Sequence, residues 1–453
     1  MGLSDLIAGH IAHAPTPPEC ALAAARLALL DALGVMLAAS GMSAEAEPFA
    51  ALAVAEGTGP CRLLGRPERV SLQSAAFANG ALAHALDFED AFDPAPCHPN
   101  AALVPALLAL AEAHGAGIDD LLGAMAIGCD LTCRMALALR RPMEEGGWYP
   151  PPILGTMGAA AGAARLLRLD AAQTRSALSL ALCQATAPGE IKYSVATTIR
   201  AMREAFPARA AVTAALLAQA GVVGFEAPIE GRAGFYRLFA QGDFDEAVLL
   251  DGLGATFHGE ALSFKRWPAC RGTHAYIEGA LRLRAQLAGR RVRQIEVIVG
   301  DVQRMLVEPA ARKQAPATAI DAKFSIFYTV ARALVHGEVG LGDFDEAARG
   351  DPAVRDLAAR MVARHDPVQV PTAVGGIIRI DCEDGRSLSE NVPIPAGHPS
   401  RPLARAEMVA KFVACAAVAA TPLPAPAAQA LAKRILAPNA GGSVSDLLCG
   451  ARG

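Results

Sequence analysis

The hydrophobic pattern divides the chain into two textures. From the N-terminus to about Phe257, apolar residues recur at helical spacing. The predicted helices are Cys20–Ala39, Asn100–His114 with Asn100 as N-cap, Asp119–Ala138, Ile153–Leu167, Asp170–Ala185 with Asp170 as N-cap, and Pro207–Ala220 closed by Gly221. Many are apolar on most sides and studded with Ala and Gly, which suits close helix packing in a thick all-α body. The most lipid-like run, Ala21 to Ser40, carries Arg26 and Asp31 and reads as a buried helix. No basic region precedes an apolar signal core.

After about Phe264 the period shortens. Gln294–Val299 alternates as a strand, and Ile377–Cys382 faces Arg386–Leu388 across the turn Glu383-Asp384-Gly385. Helical patterns at Thr273–Leu287 and Ser325–His336 lie between them, so this region reads as α+β. Beyond Gly397 and Pro402 the pattern returns to helix at Ala404–Ala420 and Ala427–Leu436. The fold class is mainly α with an α+β second domain, which is expected at 264–399, the helical domain occupying 1–263. No internal repeat interrupts this order.

Composition sharpens this reading. The 453 residues are 53% apolar but only 5% aromatic, because Ala and Leu, both strong helix formers, dominate. A net charge of -4 and a pI near 6.2 leave no basic footprint for nucleic acid or an anionic membrane. A soluble, cytoplasmic protein is expected. The ten cysteines include no C-x-x-C pair, so no metal or iron–sulfur site is expected, and Cys129 and Cys133 read as core thiols one helical turn apart. No phosphate-binding glycine loop follows a strand, and the expected cofactor is none.

The chemistry centres on Ala78 to Asn100. A helix carries His84 and Asp87, three residues apart and expected on one face. The proline-rich loop Asp93-Pro94-Ala95-Pro96-Cys97 then breaks the helix and presents His98 before Pro99. Alone, His84 in its apolar helix reads as a hydrogen-bonded structural histidine. A second cluster, Lys265-Arg266-Trp267-Pro268-Ala269-Cys270-Arg271-Gly272-Thr273-His274, gathers three permanent cations around a Pro and a Gly, a composition suited to carboxylates.

Taken together, Asn79-Gly80, His84, Asp87-Phe88, Asp90, His98-Pro99 and the run Val104 to Glu112 resemble the MmgE/PrpD family, whose members include dehydratases, decarboxylases and epimerases of small polycarboxylates. The resemblance extends to Pro395–Pro399. It implies that the tail, 400–453, completes the helical domain, that the α+β piece is a lid, and that the protein is a homodimer.

The resemblance also assigns roles. His98 would be the general acid/base, Asp87 would orient it, and Lys265 would act as electrophile or proton donor. Arg200 and Arg271 would clamp carboxylates, with Tyr149, Cys270, His274 and Tyr328 completing the wall. Three positions depart from the family pattern. Tyr149, in Gly147-Trp148-Tyr149-Pro150, replaces a histidine, Arg200 replaces a lysine, and Cys270 stands where several relatives carry a further catalytic histidine. Tyrosine still donates a proton, whereas arginine keeps carboxylate binding but not proton transfer.

The expected activity is that of a metal-independent lyase, a dehydratase or decarboxylase acting on a small di- or tricarboxylate by proton transfer next to a carboxylate. The alternatives are an epimerase of an iminodisuccinate-like dicarboxylate and an inactive carboxylate-binding protein.

Overall fold

In a computed structural model, residues 2–194, 197–438 and 441–451 are described. Four positions of the expected helical-domain tail, 439, 440, 452 and 453, lie outside them. The body is built from helices α1 (Glu19–Met42), α2 (Leu72–Ala85), α3 (Pro99–His114), α4 (Ile118–Leu137), α5 (Pro150–Leu166) and α6 (Ala205–Gln219). Helix α1 is the one described helix long and apolar enough to cross a membrane; here it packs against α2, α3 and α4.

The small residues of α5 set its distance from α4. A methyl group added at Gly158 would meet the carbonyl oxygen of Gly128 at 2.6 Å, so any side chain there would push the two helices apart. Asp170 caps the helix Ala171–Leu182, accepting from the Gln173 N–H at 2.8 Å while the Gln173 side chain bonds back. At α3 the expected cap is displaced. The N-cap position is His98, and the Asn100 amide donates instead to Asp90 Oδ2 at 3.2 Å.

The β-containing region places helix α7 (His274–Leu287) against a four-stranded sheet and packs α8 (Ile326–His336) on α7. Ahead of it, Thr58–Arg62 (β1) and Arg69–Val70 (β2) form a separate antiparallel pair. The sheet consists of β3 (Val292–Val299), β4 (Met361–His365), β5 (Gly376–Cys382) and β6 (Ser387–Val392) in the order β4-β3-β5-β6. The expected hairpin is present, with Ile378 opposite Glu390 and Gly385 at φ 86° in the turn. The unforeseen strand is β4, parallel to β3 with Ile295 opposite Met361. It is a half-exposed edge with charged residues at its end, so its alternation is weak. The chain then returns to the body through α9 (Arg405–Ala417), which packs along α1.

Candidate active site

The loop after α2 and the cation-rich loop before α7 are stitched together by a two-way backbone bridge. Ala91 N–H donates to the Ser263 carbonyl at 2.9 Å and Ser263 N–H to that of Ala91 at 2.8 Å. Between these loops, the N-terminus of α5 and the β-containing region lies a cavity of about 520 Å³, within the range of small-ligand sites. Of the nine residues singled out from the sequence, Asp87, His98, Tyr149, Arg200, Cys270 and Arg271 line it. Lys265, His274 and Tyr328 are buried behind the lining or away from it.

The histidine–carboxylate geometry differs from the expectation. Helix α2 ends at Ala85, so Asp87 lies off the helix, although its Oδ1 is still 3.7 Å from His84 Nδ1, the adjacency expected of the pair. Asp87 is instead held in the left-handed region at φ 50°, a conformation that costs a non-glycine residue about 1 kcal/mol or more unless its surroundings fix it. They do: Lys265 Nζ donates to Asp87 Oδ1 at 2.5 Å and to the Asp87 carbonyl at 3.0 Å. Asp87 therefore partners Lys265.

The carboxylate beside His98 is Glu89. His98 Nδ1 lies 2.8 Å from the Asp90 carbonyl oxygen and 3.2 Å from Glu89 Oε1. A carbonyl only accepts, so Nδ1 carries the proton and Nε2 has its lone pair free. His84 is set the same way: its Nε2 accepts from Arg203 Nη1, and its Nδ1–H donates to Glu89 Oε1 at 2.5 Å. One buried carboxylate oxygen thus faces both imidazole N–H groups. Burial drives the His98 pKa well below 6.5, with Glu89 opposing and Lys265, Arg203 and His84 adding to the depression. His98 rests as a neutral base.

The cations divide into committed and uncommitted. Burial alone would lower the Lys265 pKa, but Asp87 and Glu89 raise it above 10.5, so this side chain remains an ammonium. Its Nζ also reaches within 3.7 Å of Glu89 Oε1. It thereby occupies the one His/Asp/Glu grouping compact enough to hold a metal among the described residues, His84, Asp87 and Glu89. Arg271 is committed as well: it donates to both Asp93 oxygens, the nearest at 3.1 Å, and to the Ala396 carbonyl at 3.0 Å. Its hydrogen bonds hold the proline loop, which leaves little of the guanidinium to clamp a ligand. Arg200 differs. Its guanidinium lies 3.5 Å over the Phe324 ring, and its buried Nε and Nη2 find no partner among the described residues.

Tyr149 is the residue preceding α5, and its ring is ringed by cations: Arg203 at 5.0 Å, Lys192 at 5.2 Å and Arg200 at 6.0 Å from the centroid. Burial, and then Asp87, push the Cys270 thiol up to about 11, so it stays neutral and supplies no base at that position. His274 is enclosed between the Ala269 carbonyl and Arg271. Tyr328 spends its hydroxyl on the Asp343 carbonyl. Lys323, not singled out from the sequence, donates to the Pro268 carbonyl at 3.0 Å, and burial lowers its pKa to about 7. Glu89 was also missed, although it stands between two quoted residues. Its one sequence signal is a carboxylate five residues after a histidine, a spacing meaningful only once α2 has ended.

Comparison with known proteins extends over most of the chain. Residues 3–247 match the MmgE/PrpD N-terminal domain and residues 267–434 the MmgE/PrpD C-terminal domain. Among relatives, the cis-aconitate decarboxylase of Homo sapiens is 27% identical over 366 residues, covering 77% of this chain and 73% of that protein. That of Mus musculus is 26% identical over 401 residues, 85% and 80% of the two chains. The cis-aconitate decarboxylase-like protein oryM of Aspergillus oryzae is 27% identical over 409 residues, 84% and 83%.

Proposed function

The chain belongs to the MmgE/PrpD family, and from that premise we propose that it is a metal-independent lyase of the dehydratase or decarboxylase type acting on a small di- or tricarboxylate. One observation carries the reading: a buried Arg200, whose Nε and Nη2 have no partner among the described residues, lines the same cavity as His98, whose Nε2 is left to accept a proton. Arginine offers a carboxylate two parallel N–H donors, and a neutral imidazole is ready to accept the proton on the adjacent carbon. Glu89 stabilises the imidazolium that forms. The Lys265 ammonium lies behind Asp87 and offsets the negative charge that develops as the C–H bond breaks or carbon dioxide departs. Tyr149, a phenol among cations, is the proton donor from the other wall. The relatives' names make cis-aconitate the first acid to try.

The division into a helical body, 1–263 with 400–453, and a lid, 264–399, belongs to the same proposal. Packing of α9 along α1 supports it. A homodimer is expected from the family and is tested by light scattering.

The decisive assay incubates the enzyme in deuterated water with citrate-, aconitate- and aspartate-like acids. A new alkene or released bicarbonate is the expected result. Label gained with inverted configuration and neither product would replace the lyase with an epimerase. Tyr149→Phe should stop turnover and Tyr149→His preserve part of it; wild-type activity in the phenylalanine variant removes this residue from the mechanism.

A further inference from the structure

The buried ion pair Lys411–Asp31 lies outside the cavity, yet its contacts converge on the backbone that shapes the site. Lys411 comes from α9 and Asp31 from the middle of α1, with Nζ and Oδ1 2.6 Å apart and side chains 7% and 0% exposed. The same ammonium donates to the Phe88 carbonyl at 2.7 Å and to the Lys265 carbonyl at 2.9 Å. The ammonium thus hydrogen-bonds two backbone segments and forms an ion pair with a third. Its position 3.7 Å over the Phe88 ring adds a cation–π contact.

The two carbonyls it grips are informative. Phe88 follows Asp87, whose left-handed backbone must be imposed from outside, and precedes Glu89, the carboxylate facing His98. Lys265 is the partner of Asp87. A single ammonium therefore fixes both backbones whose side chains form the buried Lys265–Asp87 pair, and Asp31 holds that ammonium in place. Any buried ammonium needs acceptors, but the two this one takes are the backbones next to the site's carboxylates and cation. Desolvation of two charges makes a buried pair roughly neutral in stability against apolar replacements, which leaves position as its selectable effect.

We propose that Lys411, anchored by Asp31, is a positioning residue that holds Asp87 and Glu89 in register with Lys265 and His98. The inference rests on the reading of His98 as the base, and its test has a readout that needs no substrate. The informative variant is the double substitution Asp31→Leu with Lys411→Met, which removes both charges together and leaves no ion buried alone. Lys411→Arg is the conservative companion, able to keep the charge and two of the three bonds.

With histidine ring-labelled protein, the His98 resonance is assigned by its loss in His98→Gln and titrated by NMR. The groups facing His98 are Glu89, Lys265, Arg203 and His84, and none of them is altered. In the folded double variant the His98 pKa should move up towards its ordinary value, as the loop relaxes and water reaches the ring, with Lys411→Arg between the two. On the acid that the wild-type enzyme turns over, kcat should fall about 10²-fold, the loss expected from a misplacement of about 1 Å. KM should change little, because Arg200 is untouched. A cooperatively unfolding double variant with wild-type His98 titration would overturn the inference even if no substrate were found. Failure of the acid panel with a shifted titration would instead count against the lyase reading alone.

Discussion

Replacing Glu89 by Gln tests the reassignment of the histidine partner from Asp87 to Glu89. Proton transfer to His98 creates an imidazolium whose Nδ1 lies 3.2 Å from Glu89 Oε1. With an effective dielectric of about 20, that pair attracts by roughly 5 kcal/mol, an upper bound on what the amide forfeits because its carbonyl dipole still accepts the N–H. Keeping about half of it predicts a loss of kcat/KM of roughly 10²-fold. The loss should fall mainly on kcat, since Arg200 and not Glu89 is the proposed partner of the substrate carboxylate. Of the charged groups facing His98, Glu89 raises its pKa while Lys265, Arg203 and His84 lower it, so removing Glu89 moves that pKa further down and weakens the base. The assay is initial-rate kinetics from pH 5 to 8 on the acid identified by the panel, with circular dichroism to show the fold. Turnover within threefold of wild type in a folded variant would refute the dyad and return the orienting role to Asp87.

Arg200→Met should raise KM at least tenfold, whereas Arg200→Lys should restore part of the affinity; equal KM values across the three proteins would show that the carboxylate binds elsewhere. Lys265→Met should cost far more activity than Arg266→Met, because Lys265 is buried on Asp87 and Arg266 is an exposed partner of Glu407; parallel rate measurements decide it. Activity should survive exhaustive chelation, since the Lys265 ammonium sits in the His84, Asp87 and Glu89 grouping; loss restored by a divalent ion would overturn that. His274 is held neutral by burial and by Arg271, its pKa well below 6.5. A depressed folded pKa means that the unfolded chain takes the proton first, so stability from this group is present above about pH 6.5 and is lost as pH falls through the interval down to the folded pKa. Relative to His274→Asn, denaturant unfolding of the wild type should therefore lose about 1.4 kcal/mol of advantage per pH unit in that interval, and a pH-independent difference would show that His274 is not buried neutral.

The helices, the hairpin at Gly385 and the gathering of chemistry into two loops were legible in the sequence because each is a local matter. Periodicity, proline, glycine and an aspartate cap act within a few residues of themselves. The edge strand β4 was not legible, since its pairing with β3 joins residues such as Ile295 and Met361 that are far apart in the chain. The same divide runs through the site. Residue types at Asp87, His98, Tyr149, Arg200, Cys270 and Arg271 marked a shared cavity, yet their partners were decided by tertiary packing. Where α2 stops determines that Asp87 turns to Lys265 and Glu89 to His98. Whether an arginine is free depends on what packs against it: Asp93 and the Ala396 carbonyl engage Arg271, while Arg200 lies against the rings of Phe324 and Tyr149 with no hydrogen-bond partner for its Nε and Nη2 among the described residues. Sequence supplies the charges a site can use, but burial and distance fix which are neutralised, because both the desolvation of a charge and its Coulomb energy depend on neighbours that local sequence does not specify.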